Sequence, residues 1–169
     1  MSAEGTGGSV SAEDLYHEAL VRLAREAVGA GALPPPARGT APDVGRGSAT
    51  VDNPLCGDRV TMEVRVEGGR IAALAHRVRG CVLCEASASL LGRAAVGLGT
   101  AEVEAARGAL AALLREGTPA PPRPLAGLEV FAPTRAVPSR HSCVLLPFDA
   151  LGAALGDALA RAFPPETTR

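Results

Sequence analysis

VTMEVRVEGGRIAALAHRV, residues 60 to 78, begins with strict alternation: Val60, Met62, Val64 and Val66 point one way, Thr61, Glu63 and Arg65 the other. A period of two with one apolar side marks a half-buried strand. Gly68-Gly69 supplies the positive φ values of a two-residue hairpin turn, and Ile71 to Val78 returns as the partner strand. Residues 49 to 53 can add a third strand.

Downstream the texture changes to small and aliphatic residues. From Cys81 the run VLCEASASLLGRAAVG reads as a helix ending near Gly97. Thr100 is placed to cap another, which runs to Gly117 with Glu102 and Glu104 in its favourable first turn. The Pro-rich break TPAPPRPL follows, then a last helix from about Ser142 to Ala162, with Pro147 in its first turn or two. Upstream, Ser11 with Asp14 three residues later reads as a helix start; Tyr16, Leu20, Leu23, Ala24 and Ala27 share one face, and Gly29 and Gly31 end it. GALPPPARGTAPDVGRGS, residues 31 to 48, has no apolar period and reads as a mobile linker.

This order predicts an α+β fold, a small antiparallel sheet of about three strands packed against several helices on one face. The expected division is a flexible N-terminus at 1–10, a helix at 11–29, a Pro/Gly-rich linker at 30–48, a folded domain at 49–162 and a flexible tail at 163–169. With 169 residues, one compact unit is the default. Aromatics are only 2% of the chain, so the core rests on Leu, Val and Ala and stands to gain from a bound metal.

Net charge is −1, and all 17 basic residues are arginines scattered along the chain without interleaved aromatics, so no footprint for nucleic acid exists. No apolar run is read as approaching the ~20 residues of a membrane span, and MSAEGTGGSV lacks the regions of a signal peptide. The expectation is a cytoplasmic protein with no membrane partner. In that reducing compartment the four cysteines, at 56, 81, 84 and 143, read as ligands or reactive thiols ahead of disulfide partners.

In Cys56-Gly57-Asp58 the glycine lets the backbone bend, so that a sulfur and a carboxylate oxygen can converge on one ion; zinc accepts both. Cys81 stands where strand gives way to helix, and Cys143 opens the last helix, so both sulfurs meet a helix N-terminus that favours thiolate. The plainer alternative is that free cysteines are small buried hydrophobes, preferred for Cys84. Cys81-Val-Leu-Cys84 also matches C-x-x-C, but the βαβ setting of a thioredoxin-like redox pair is missing. His141, two residues before Cys143, raises a Cys-His hydrolase, with no oxyanion-hole signature beside it. His17 reads as solvated and His76 as a sheet residue.

Three blocks, NPLCGDRV, RGCVLCEASASLL and PSRHSC followed by Leu146, Phe148, Ala150 and Leu151, resemble the IscU/SufU/NifU N-terminal family of iron-sulfur cluster assembly proteins. They run from about Asn53 to Leu151. Cys81 follows Cys56 by 25 residues and Cys143 follows Cys81 by 62, spacings similar to the SufU branch, as is Arg140 three residues before Cys143. The histidine immediately before the third cysteine and the L-P-P-V-K motif of IscU proteins do not match.

The resemblance implies that Cys56, Asp58, Cys81 and Cys143 bind zinc or nucleate a transient iron-sulfur cluster, with Cys84, Arg140 and His141 as possible auxiliaries. It implies a zinc-dependent sulfur acceptor for a PLP-dependent, SufS-like cysteine desulfurase, with Cys56 receiving the persulfide. An iron-sulfur carrier or SUF assembly complex is a further implied partner. A scaffold on the same ligands is the alternative within the family, and a structural zinc module for protein interaction the alternative outside it. Two departures stand out: RLAREAVGAGAL replaces the family's D-H-Y-x-x-P-R-N stretch, and Ser142 replaces the usual Lys or His.

Overall fold

Helix α1 spans Ala12–Glu26, opened by the expected box: Asp14 N–H donates to Ser11 Oγ, and the Asp14 carboxylate accepts from the Ser11 N–H. The computed structural model that shows this describes residues 11–41 and 44–166. The expected flexible N-terminus, 1–10, and the last three residues of the expected tail lie outside the described residues.

Three strands follow: β1 (Val44–Asp52), β2 (Arg59–Glu67) and β3 (Arg70–Arg79), in one antiparallel sheet of order β1-β2-β3. Gly68 and Gly69, at φ 57° and 77°, make the expected hairpin turn. Val60, Met62, Val64 and Val66 are all fully buried. A bulge beside Arg65/Val66 shifts the pairing, so Ile71 and Leu74, three residues apart, both lie opposite inward valines.

Helices α2 (Val82–Ala94), α3 (Thr100–Glu116) and α4 (His141–Ala162) complete the regular elements, with 3₁₀ turns at Leu128–Ala136 and Pro138–Arg140. α4 lies across β1 and β2, α2 packs on β3 and on α4, and α1 and α3 cover α2 and α4 respectively. The result is the expected α+β arrangement, a three-stranded sheet with its helices on one face.

Several boundaries differ from expectation. Gly99 caps α3, not Thr100: the Glu102 carboxylate accepts from the Gly99 N–H at 2.8 Å, which satisfies the first free donor without a side chain at the cap. The stretch 44–48, read as linker, is the first half of β1. Its glycines lie on the inward side, where a Cβ on Gly47 would collide with the α4 backbone at Ala154 and Ala158, and one on Gly45 with Ala158 and Ala162. They are there to let helix and strand touch, so their composition imitates a linker. The earlier part is also tethered: Leu33 N–H donates to Glu63 Oε2 at 2.9 Å and Arg46 reaches the Pro34 carbonyl at 2.6 Å.

The expectation that no run is apolar and long enough to span a bilayer is also corrected, since Pro138–Ala162 is. Its apolar residues are needed in the core, where Val144, Phe148, Leu151, Ala154, Leu155 and Ala158 are essentially fully buried.

His76 sits in β3 opposite Met62, as a sheet residue, 4% exposed, with Nε2 2.7 Å from the Val28 carbonyl. Burial holds its pKa below the ordinary 6.5, partly offset by that hydrogen bond.

Gly47→Ala should cost ~1–3 kcal/mol or more, by overpacking against a helix backbone that cannot step aside, read as a lower urea midpoint. His76 gives a pH signature. Its folded pKa is depressed, so below pH ~6.5 the unfolded chain binds more protons; stability is complete above that value and falls as the pH drops through it. His76→Gln should flatten that part of a stability-pH curve.

Candidate metal centre

Strand pairing brings the first three donors to one end of the sheet. Asp52 pairs with Arg59 across β1 and β2, and Arg59 with Arg79 across β2 and β3. The 53–58 loop that joins β1 to β2 therefore lies beside Gly80 and Cys81, where β3 hands over to α2. Backbone bonds close the loop tightly: Asn53 N–H donates to the Asp58 carbonyl and Gly57 N–H to the Asn53 carbonyl, both at 2.8 Å. Gly57 takes φ 73°, the left-handed turn expected between Cys56 and Asp58.

Asp58 turns inward and is 4% exposed. Its Oδ1 accepts from the Cys81 N–H at 3.2 Å, at the start of α2, and its Oδ2 lies 3.6 Å from Cys81 Sγ. Gly80 makes room for it, since a Cβ there would stand 2.8 Å from Asp58 Cγ and Oδ1. Cys143, in the first turn of α4 and fully buried, brings its Sγ to 3.6 Å from Cys56 Sγ. Ligand atoms of Cys56, Asp58 and Cys143 all lie within 4.8 Å of one another. Cys81 adjoins this trio through Asp58.

The donor chemistry fits a cation. No arginine forms a salt bridge with the buried Asp58 carboxylate among the described residues; the contacts made by its oxygens are with the Cys81 N–H and Sγ. Burial, with the neighbouring Cys56, Cys81 and Asp58 adding to it, pushes the Cys143 thiol upward. A divalent ion amid these four groups would reverse that push, because it favours deprotonated ligands. Zinc's preference for four sulfur, nitrogen or oxygen donors matches three thiols and one carboxylate.

The proposed auxiliaries separate. Cys84 is wholly buried in the hydrophobic core, and burial drives its thiol strongly upward, the behaviour of a packing residue. His141 turns Nε2 toward the Thr134 and Arg135 carbonyls, at 3.1 and 3.3 Å, and so toward the preceding 3₁₀ turn. Arg140 is exposed and forms no salt bridge among the described residues. Cys56 is the exposed thiol of the set, beside Leu55, which is 91% exposed.

Two contributors, Asn53 and Gly80, are not singled out by the sequence reading, and Ser142 enters it only as a departure from the family pattern. Asn53 is 5% exposed, donates through Nδ2 to Ser142 Oγ at 2.8 Å, and accepts from the Leu55 N–H at 3.1 Å. The signal available was an asparagine opening an Asn-Pro turn three residues before a candidate ligand.

Fold and site together define a small α+β domain with a mixed thiol and carboxylate cluster, at one end of its sheet, that could hold a metal ion. The sequence profile of the NifU-like N-terminal domain matches residues 32–124, more than half the chain, and the chain belongs to that family. The match takes in Cys56, Asp58 and Cys81; Cys143 lies beyond it. The crystal structure of a nitrogen-fixing NifU-like protein, N-terminal part, from Brucella abortus is similar, with a TM-score of 0.74 and 32% identity over 86% of this chain and 95% of that one. A protein from Fervidobacterium islandicum, named as an iron-sulfur cluster assembly scaffold for the SUF system, shares the fold, with a TM-score of 0.66 and 22% identity over 86% of this chain and 99% of that one. No curated protein matches the chain.

Gly80→Ala should displace Asp58 and weaken zinc binding by ~10–100-fold, the range for disturbed ligand support. Chelator competition measures it, and an unchanged affinity would mean that Asp58 is not a ligand.

Proposed function

We propose that this chain is an iron-sulfur cluster assembly protein of SufU type, acting in the cytoplasm, that holds zinc on Cys56, Asp58, Cys81 and Cys143 and accepts sulfur on Cys56 from a PLP-dependent, SufS-like cysteine desulfurase. The observation that carries it is one exposed thiol, Cys56, lying 3.6 Å from a buried one, Cys143, with a buried carboxylate within reach of both. Zinc held there would keep its sulfur ligands as thiolates near neutral pH.

The remaining roles belong to the chain's residues. Asp58, Cys81 and Cys143 are fixed by a strand end and two helix starts. Cys56 sits on a loop at the surface, so it is the donor able to leave while the other three stay. As thiolate it attacks the terminal sulfur of the partner's persulfide; a new S–S bond forms on Cys56, the partner's S–S bond breaks, and the electron pair departs on the partner's thiolate. One sulfur moves, with no net oxidation or reduction. Exposed Leu55, next to Cys56, gives the approaching partner an apolar contact.

A scaffold reading uses the same four donors, with an iron-sulfur cluster as cargo passed to a carrier or SUF assembly complex; the name of the Fervidobacterium structure favours it. Purified without oxygen, the protein should hold about one zinc and no visible chromophore. Supplied with desulfurase and cysteine, it should gain one sulfur atom by mass, a gain lost in Cys56→Ser while metal is partly retained. Undiminished sulfur uptake by that variant would exclude Cys56 as acceptor; reconstitution of a stable, transferable cluster would select the scaffold. Failure to stimulate any desulfurase would leave the structural zinc module.

A further inference from the structure

The loop that carries Cys56 and the helix that carries Cys143 are far apart in the chain, yet beside the 3.6 Å approach of the two sulfurs a side-chain hydrogen bond joins them directly. Asn53 Nδ2 donates to Ser142 Oγ at 2.8 Å, across 89 residues. Asn53 is the root of the Cys56 loop: its backbone N–H and carbonyl close the loop on Asp58 and Gly57, and its Oδ1 holds the Leu55 N–H. Ser142 is the residue just before Cys143, in the first turn of α4. Every polar group of the Asn53 backbone and side chain thus has a partner, and all but one of those partners lie within the loop. The exception is Ser142.

We infer that the Asn53–Ser142 hydrogen bond is a latch: it holds the Cys56 loop closed on α4 and sets how readily Cys56 swings away from Cys143, Asp58 and Cys81. Closed, it keeps the loop against α4, where the two sulfurs stand 3.6 Å apart. Open, the loop keeps its internal turn but loses its tie to the helix, so Cys56 moves while the other donors stay. Asn53 and Ser142 are positioning residues in this scheme, since neither carries sulfur or charge to the centre. The resistance of the latch to opening is what a docking partner must overcome to free Cys56. The latch itself rests on the hydrogen bond; its affinity readout and the docking partner rest on the proposed function.

Two measurements on the full chain test it. In the metal-free protein, amide hydrogen exchange across residues 53–58 should accelerate by ~tenfold in Ser142→Ala, consistent with loss of one hydrogen bond, while exchange in β2 and β3 stays as in the parent. Ser142→Thr, which keeps the hydroxyl, should restore the parental rate. In the zinc-loaded protein, Ser142→Ala should weaken binding by ~tenfold in chelator competition, while the melting temperature of the metal-free form falls by no more than the loss of one hydrogen bond accounts for. In a double-mutant cycle the two losses should be sub-additive: on the Ser142→Ala background, Asn53→Ala should add only the share that comes from releasing the Leu55 N–H. Parental loop exchange in Ser142→Ala would overturn the latch, as would equal effects of the alanine and threonine variants. A parent protein that binds no zinc, with loop exchange still accelerated in Ser142→Ala, would overturn the metal-site reading and leave the latch standing.

Discussion

The pairing of Arg59 with Arg79 across β2 and β3 is the constraint from which the candidate metal centre follows. It sets Asp58 against Gly80 and delivers Cys81 one residue further on, at the N-terminus of α2. Because side chains alternate along a strand, a slip of one residue would turn Val60, Met62, Val64 and Val66 out of the core and carry Asp58 away from Cys81. The register is therefore held by the burial of those four apolar side chains, and the site inherits its geometry from the hydrophobic core. No functional residue has to contribute stability for this to hold.

The second half of the site depends on α4, which is packed unusually close to the sheet. Gly45 and Gly47 remove the side chains that would hold β1 away from it, and Ala154, Ala158 and Ala162 present a small-residue face in return. That contact, together with Asn53 and Ser142, fixes where the first turn of α4 ends up. Cys143 consequently arrives buried, opposite a surface loop bearing Cys56. The asymmetry between one exposed and one buried thiol is a product of this packing, and the proposed function draws on it to tell a sulfur able to leave from one that anchors.

Cys84 shows how misleading proximity in sequence can be. It stands three residues after Cys81, the spacing of half a zinc site, yet one turn of α2 carries it into the core among aliphatic side chains. His141, two residues before Cys143, is likewise turned to backbone carbonyls of the 3₁₀ stretch. In both cases helical geometry sends near neighbours in different directions, while residues 23 and 87 positions apart are brought together.

The sequence by itself determined the β2–β3 hairpin, the capping box of α1 and the Cys56-Gly57-Asp58 turn, because each depends on local chemistry: a two-residue period, a Ser–Asp exchange of hydrogen bonds, a glycine able to take positive φ. The Asn-Pro-x-Cys-Gly-Asp block also carried the family resemblance. What only the tertiary structure decided was the start of β1, where glycine serves packing and was mistaken for linker, the Gly80 space for Asp58, and the tie between Asn53 and Ser142. Those depend on which surfaces meet once the core closes, a property of the whole chain's packing that no window of neighbouring residues contains.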